Sequence, residues 1–473
     1  MQALNKNTTD KPSLPIKVLQ FGEGNFLRAF ADWMIDVMNE KLDYDHGVAI
    51  VQPIDRGMTD MLRDQDSLYH QLGRGLRKGE AVTDTRLVKC VQQSIDPFKD
   101  LDSYKSVVLG DELKIVISNT TEAGIVYKDE PQPSSNELAE TFPGKVTQLL
   151  FKRFNHFNGD ITKGLVFIPV ELIEKNGEKL KEAILKYASS WGLPADFAQW
   201  VENHNAFANT LVDRIVPGFP KDEIDEIKVS IGFDDNLVVA SELFHLWVIQ
   251  SDADIQSVFP ANEAGLNVIF TNNLAPYRTR KVRILNGAHT SMVPMGLLNG
   301  IQTVREAMED PTVGGAISDI VFNEIAPTID LPADELKAYA EEVLERFRNP
   351  FIIHQLQSIS LNSIPKFSVR VLPTLLASLK MTGELPKGLC SALAHLIALY
   401  LSDDFEISDD QEVKDFFNEL KSSDHSEQQI ANAVLGLTQY WNQDLNEING
   451  MTALIAEQLT KIKAGVTVDS LLD

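Results

Sequence analysis

Ile16-Lys17-Val18-Leu19-Gln20-Phe21-Gly22-Glu23-Gly24-Asn25-Phe26-Leu27-Arg28 is the stretch on which the fold of this chain turns. An apolar, partly β-branched run ends on two closely spaced glycines, and a helix-like stretch follows to about Met38. A dinucleotide site needs that order of strand, tight turn and helix. Glycine lets the backbone turn and approach a pyrophosphate, which then rests on the positive end of the helix. Phe21, Gly22, Gly24, Asn25 and Phe26 are the residues placed to line such a turn. The third glycine of the common fingerprint is Leu27 here, so the motif alone also fits an ordinary strand-to-helix turn.

Working outward, short apolar runs alternate with helix-like stretches, the pattern of βαβ units around a parallel sheet. Strands are expected at Ile16–Phe21, 48–52, 106–109, 114–118 and 165–170, with edge strands at 228–231 and 237–240. The second strand ends at Val51-Gln52-Pro53 without the acidic residue that grips a ribose; the nearest candidate is Asp55, beside Arg56, so the residues leave NAD and NADP open. The fourth ends in the polar run Ser118-Asn119-Thr120-Thr121-Glu122-Ala123-Gly124, where a doubly wound sheet presents the nicotinamide ribose, and Asn119 and Thr120 are the candidates there. From about Ala275 the strand signals stop. Ala333–Phe347 places Leu336, Tyr339, Val343 and Phe347 at helical spacing, 390–401 is apolar nearly all round, and 451–464 is amphipathic. The expected architecture is an α/β domain over residues 1–275 followed by an all-α domain over 276–473.

Composition narrows the function. A chain of 473 residues is long enough for two cores. Its net charge of −25 disfavours nucleic acid and anionic membrane as partners, and it obliges any anionic substrate to find local cations. Two cysteines, Cys90 and Cys390, provide neither a disulfide framework nor a thiolate zinc site. The polar first fifteen residues lack a signal-peptide core, and no apolar run reaches membrane-spanning length, so a soluble, cytoplasmic protein is expected.

The second informative stretch is Tyr277-Arg278-Thr279-Arg280-Lys281-Val282-Arg283-Ile284-Leu285-Asn286-Gly287-Ala288-His289. On an ideal α-helix Lys281, Asn286 and His289 share an arc of roughly 140°. Ketone reduction needs a proton donor for the developing alkoxide and hydrogen-bond donors that hold that oxygen. These three side chains provide them, and neighbouring cations with burial would depress the lysine pKa. As residues alone, a solvated lysine and a core-packed histidine fit equally well.

Taken together, the motif at 21–28, the Lys281, Asn286 and His289 spacing, and the blocks Val212-Asp213-Arg214-Ile215-Val216-Pro217 and Arg348-Asn349-Pro350 resemble the polyol-specific long-chain dehydrogenases, the mannitol dehydrogenase family. The resemblance implies a Rossmann-type N-terminal domain that binds the cofactor, a helical C-terminal domain that closes the cleft, and metal-independent catalysis by Lys281, Asn286 and His289, with Asp213 as a substrate contact. Mannitol and fructuronate members usually carry Cys-Asp-Asn where this chain has Val170-Glu171-Leu172, so Leu172 replaces an asparagine, and Glu171 or Asn176 is expected to take over. The run Pro169-Val170-Glu171-Leu172-Ile173, with 118–124, resembles the members acting on a sugar acid. It implies D-tagaturonate and D-altronate as the substrate pair, NAD as cofactor, and a place in hexuronate catabolism. Fructuronate or mannitol as substrate, and an inactive nicotinamide- or sugar-acid-binding sensor, remain the alternatives. Four cations stand between Arg278 and Arg283, and Arg278 is the expected partner of the substrate carboxylate. Lys366 and Arg370, in a loop-like stretch ended by Pro373, are further candidates, while His354 and His395 read as structural residues in apolar helical contexts.

Overall fold

The strand Ile16–Phe21 sends Val18 into one apolar core and Leu19 and Phe21 into another. Its neighbours divide their side chains in the same way: Val48 and Ile50 against Ala49 and Val51, Ile115 and Ile117 against Val116. Strands apolar on both faces belong inside a sheet covered on both sides. The computed structural model, which describes residues 1–121 and 123–472, contains that sheet. Six parallel strands lie in the order Val91–Ile95, Gly47–Val51, Ile16–Phe21, Ile115–Ser118, Val166–Pro169, Ala206–Phe207. Counted along the chain this is 3-2-1-4-5-6, the doubly wound Rossmann order, with its switch point between Ile16–Phe21 and Ile115–Ser118. The helical run from Asn25 to Leu42 covers one face, and helices Leu101–Val107, Phe142–His156, Asn176–Ser190 and Ala195–His204 cover the other.

Three expected strands differ. Residues 106–109 end the helix Leu101–Val107, which Asp100 caps by accepting from the Ser103 amide; Val107 and Val108 are apolar because that side of the helix is buried. Residues 228–231 close the helix Ile224–Ile231, stopped by left-handed Gly232, where Ile227 is buried and Val229 is exposed. The strand expected at 237–240 is Val239–Glu242, parallel to Tyr69–Arg77. Tyr69–Arg77 pairs with Glu80–Val88, and neither strand is legible in the sequence, since polar residues such as Gln71, Arg74, Thr83 and Asp84 break the apolar pattern.

The chain divides into two units, one of residues 1–74 with 82–274, the other of residues 75–81 with the chain from Ala275 onward. From Ala275 onward the second unit is helical, with one isolated β-bridge between Thr303 and Gln355 among the described residues, and residues 75–81 bring to it the tip of the Tyr69–Arg77 and Glu80–Val88 pair. At its centre lie Gly287–Leu298 and Lys387–Leu401, both buried almost all round. Ala333–Phe347 buries Leu336, Tyr339, Val343 and Phe347 as its spacing predicts, and Glu345 on it accepts from the amide of Gly79 at 3.1 Å. Among the described residues no helix is long and apolar enough to cross a membrane.

The edge of the parallel sheet sets a sharp packing test. A methyl group at Gly164 would stand 1.4 Å from the carbonyl oxygen of His204, beside the bond from the Leu165 amide to Asn205 Oδ1. Backbone cannot yield cheaply there, so Gly164→Ala should cost about 1–3 kcal/mol. The check is a lower urea midpoint at unchanged m-value; an unmoved midpoint would mean that the 206–207 edge is free to shift.

Candidate functional site

At the switch point two loops meet. The Gly22 amide donates to Val51 O and the Asn119 amide to Phe21 O, both at 3.0 Å. Gly22 has φ +120°, and a Cβ on it would lie 3.1 Å from Asn119 O. Any side chain would therefore meet both a strained backbone and a crowded neighbour. Two residues on the situation reverses: Gly24 is exposed, and nothing lies within 4 Å of where its Cβ would be. The helix beginning at Asn25 has no side-chain cap on Gly24, so its first N–H groups are left for an outside acceptor. An open cradle at an uncapped helix start, beside a glycine turn, fits the pyrophosphate of a nicotinamide dinucleotide.

Of the residues expected around it, Gly22, Gly24, Asn119 and Thr120 gather at the switch point. Phe21 instead packs edge-on to Phe142 at 5.1 Å, and Phe26 stacks on Phe30 at 5.0 Å. Asn25 accepts from Arg28 Nη2 at 2.8 Å. Asp55 is exposed on the loop after Gly47–Val51. Glu23, which the sequence does not single out, is buried; its carboxylate accepts from the Met58 amide at 3.3 Å, and burial pushes its pKa up. It draws the 52–58 loop back onto the turn.

Glu171 and Asn176 serve the frame rather than an open pocket. Glu171 is buried and accepts from Ser118 Oγ, the Thr120 amide and Thr120 Oγ1, each at 3.0 Å. Burial raises its pKa while these donors oppose the rise. The Asn176 amide donates to Pro169 O, Glu171 O and Thr210 Oγ1 and accepts from the amides of Gly177 and Thr210. Both side chains are hydrogen-bonded internally, and Leu172, in the place of the asparagine, is exposed and apolar. Glu122 lies outside the described residues. Asp213 ends the strand Asn209–Asp213 and is buried.

In the second unit the helix from Ala275 to Leu298 is continuous, but Lys281–Asn286 is a π turn. The arc drawn on an ideal α-helix therefore does not apply. With i→i+5 bonding, Asn286 follows over Lys281 and His289 comes one α turn later, so one face carries all three. Lys281 and Asn286 are half-buried, and His289 is buried with its ring stacked on Phe347 at 4.2 Å. His354 meets His289 edge-on at 5.2 Å. It lies not in a helix but in the segment before Leu356–Ile359, half-buried, and burial lowers its pKa. Its place in this cluster is invisible in sequence because it depends on Phe347 ending one helix and Leu356 starting the next. His395 is buried and bonds Ser391 O at 2.8 Å, a structural role as expected.

The cations sort by partner. Arg280 is buried on Glu335 at 2.5 Å, under the rings of Tyr277 and Tyr339. Arg283 donates to Thr328 O and Oγ1 at 3.1 and 3.2 Å. Arg278 is half-buried. Lys366 and Arg370 belong to the helix Ser363–Arg370, not a loop, because Ile364 and Phe367 bury one side of it. Lys366 Nζ donates to Ile359 O at 2.8 Å, while the Arg370 guanidinium has no hydrogen-bond or ion-pair partner among the described residues. Arg370 is half-buried, burial lowers its pKa, and its carbonyl lies against Gly287, 3.3 Å from where a Cβ would stand. Among the described residues no group of three or more His, Cys, Asp and Glu side chains gathers as a metal ion would require.

Comparison with known proteins bears on both halves. Residues 16–258 match the model of the mannitol dehydrogenase Rossmann domain, and residues 273–463 that of the mannitol dehydrogenase C-terminal domain. The chain is 46% identical to an altronate oxidoreductase of Phocaeicola vulgatus, covering 98% of each chain. It is also 46% identical to the altronate oxidoreductase of Bacillus subtilis, over 98% of this chain and 96% of that one. Among solved structures, a substrate-free D-sorbitol dehydrogenase superposes with TM-score 0.81 at 18% identity, covering 100% of both chains. Pseudomonas fluorescens mannitol 2-dehydrogenase in complex with NAD and D-mannitol gives 0.66 at 20% identity, covering 100% of this chain and 99% of that one. These two likenesses speak to the fold.

The cradle can be tested directly. Asp is a favoured residue at a helix start and has open space at position 24, so Gly24→Asp should fold normally. Its carboxylate would stand where a pyrophosphate belongs, and NADH should bind at least about tenfold more weakly. The measurement is nicotinamide fluorescence titration; an unchanged Kd would remove the cradle from the site.

Proposed function

The chain belongs to the mannitol dehydrogenase family, and from that premise we propose that it is an NAD-dependent oxidoreductase interconverting D-tagaturonate and D-altronate in hexuronate catabolism. The observation that carries this reading is the identity of 41 to 46% with altronate oxidoreductases across essentially the whole chain. It is an enzyme acting on CH–OH groups with a nicotinamide cofactor, which, when bound, supplies or accepts the hydride. The strand Gly47–Val51 ends without an acid, so NAD is to be distinguished from NADP by experiment.

Lys281 gives its proton to the carbonyl oxygen as the alkoxide develops during reduction and takes it back during oxidation. Asn286 and His289 donate hydrogen bonds to the same oxygen. Phe347 and His354 pack on two sides of the His289 imidazole and restrict its rotation. The substrate is a carboxylate and the chain is strongly acidic, so a committed cation is required. Arg280 and Arg283 are already engaged. Arg370 moves ahead of Arg278 for this role, because among the described residues its half-buried guanidinium has no acid to answer it, and its backbone abuts the Asn286–Gly287 junction.

Activity on a panel of ketoses and keto-uronates, with NADH and with NADPH, tests the assignment: tagaturonate with NADH should give the highest kcat/KM. A higher value for fructuronate or fructose would replace the substrate. Lys281→Ala should lower kcat by about 10²–10⁴ with the Kd of NADH unchanged, the size of a lost acid–base group; near-normal turnover would move the proton elsewhere. A charge-assisted pair to a carboxylate is worth about 1.5–3 kcal/mol, so Arg370→Gln should raise KM for tagaturonate about ten- to a hundredfold and leave fructose unaffected. Equal loss on both substrates would return Arg278 to first place.

A further inference from the structure

Beneath the glycine turn lies a chain of buried polar groups. Asp32, in the π turn Arg28–Asp32, is fully buried. Its Oδ2 accepts from the Tyr69 hydroxyl at 3.0 Å and from Gln20 Nε2 at 3.3 Å. The same Gln20 nitrogen donates to the carbonyl oxygen of Gly22 at 3.0 Å, and Gly22 is the residue at φ +120°. One amide therefore holds the turn, and one carboxyl holds the amide. Two acceptors here lack donors: Gln20 Oε1 and Asp32 Oδ1 are both buried without a hydrogen-bond partner among the described residues. A proton on Asp32 changes the chemistry of this site. It makes the carboxyl a donor as well as an acceptor, and it removes a buried charge.

We propose that Asp32 is a positioning residue for the nicotinamide cofactor: its carboxyl anchors Gln20 and, through it, the Gly22 carbonyl, and its ionisation places a negative charge beneath the cradle and weakens dinucleotide binding. This rests on the glycine turn being the pyrophosphate cradle. Several groups face Asp32. Arg28 and Asp36 lie on its own helical run, Tyr69 on the adjacent strand, and Cys90 donates to the Asp32 carbonyl oxygen at 3.3 Å. Glu23 and Asp235 act through Arg28. Tyr69 and Cys90 are pushed well above their ordinary values by burial, and Asp36 is paired with Arg86. Burial, opposed by the bonds from Tyr69 and Gln20 and by Arg28, lifts the Asp32 carboxyl to about 7. A pyrophosphate is an anion, so its binding favours the neutral acid, and affinity falls as pH rises through that value.

The experiment is the Kd of NADH for the full-length protein, by nicotinamide fluorescence, from about pH 6 to about pH 9. The wild type should weaken roughly three- to tenfold across that range. Asp32→Asn, an isostere of the protonated acid, should hold the wild type's low-pH affinity throughout. Gln20→Met should bind more weakly at every pH. Stability supplies a second readout. The raised carboxyl keeps its full contribution below the ordinary aspartate range and loses it as pH rises through about 7, so above that pH Asp32→Asn should melt no lower than the wild type. An Asp32→Asn variant that keeps the wild-type slope, or a Gln20→Met variant that binds normally, overturns the proposal. Should Asp32→Asn not fold, the wild-type slope and Gln20→Met still decide it. If Gly24→Asp leaves binding intact, it is the cradle that fails; if Gly24→Asp weakens binding while both other variants are silent, only the role of Asp32 fails.

Discussion

The approach of Gly22 to Asn119 is the constraint around which the carboxyl end of the sheet is built. Two neighbouring parallel strands end there, and their chains part in opposite directions, so a crevice opens at that point. Bonds from the Gly22 and Asn119 amides to Val51 and Phe21 hold three strand ends in register. With the backbones this close and φ at +120°, residue 22 would hold a Cβ only under strain, and the polar groups behind it must be satisfied from within. Gln20 satisfies the Gly22 carbonyl, Glu171 gathers Ser118 and Thr120, and Glu23 gathers the 52–58 loop. Three buried side chains thus shape a surface that presents mostly backbone to a ligand.

In a chain of net charge −25, several arginines are buried. Arg28, Arg153 and Arg214 are buried in the first unit, and their forks end on carbonyl oxygens: Arg153 reaches Val108, Gly110, Leu113 and Lys163, and Arg214 reaches Ala29 and Glu242. Guanidinium suits this work because it offers several donors in one plane and is weakly hydrated. Burial still tells, lowering Arg153 to about 10 and Arg214 to about 9. Each arginine fastens loop carbonyls that water would otherwise need to reach. Arg370 stands apart from this pattern, since its guanidinium is half-buried yet fastens nothing among the described residues.

How much of this the sequence displays depends on how each feature is encoded. The strands Ile16–Phe21 and Ile115–Ser118 and the helix Ala333–Phe347 are local patterns of burial and are read correctly. Val91–Ile95 holds its place in the sheet despite Gln92, Gln93 and Ser94, because its neighbour Gly47–Val51 provides the pairing; no periodicity shows that. At the site, the glycine turn is legible because glycine is demanded by backbone geometry alone. Glu171 is legible as a polar residue at a strand end but not in its task, which depends on Ser118 and Thr120, 53 and 51 residues away in sequence. His354 fails for the same reason: an isolated histidine in an apolar setting takes its meaning from the ring of His289.

The π turns show most clearly what residue spacing alone cannot reveal. Among the described residues they occupy Arg28–Asp32, directly after the glycine turn, Lys281–Asn286, and the mostly apolar Ile320–Ile325. A π turn adds one residue to a helical turn, weakens the local bonding and is kept where the rotation it causes is useful. In an α-helix Lys281 would align with residue 285, which is leucine, and Asn286 would sit about 100° further round. The extra residue brings Asn286 over Lys281 instead, while Leu285 turns into the core and Ile284 stays buried beside it. The apolar and the polar demands of the segment conflict at α spacing and agree at π spacing. At Arg28–Asp32 the same insertion buries five consecutive residues, Arg28 and Asp32 among them, so that a guanidinium and a carboxyl from one turn both lie under the glycine loop. At Lys281–Asn286, then, the departure from the regular period brings onto one face two side chains that a regular helix would separate.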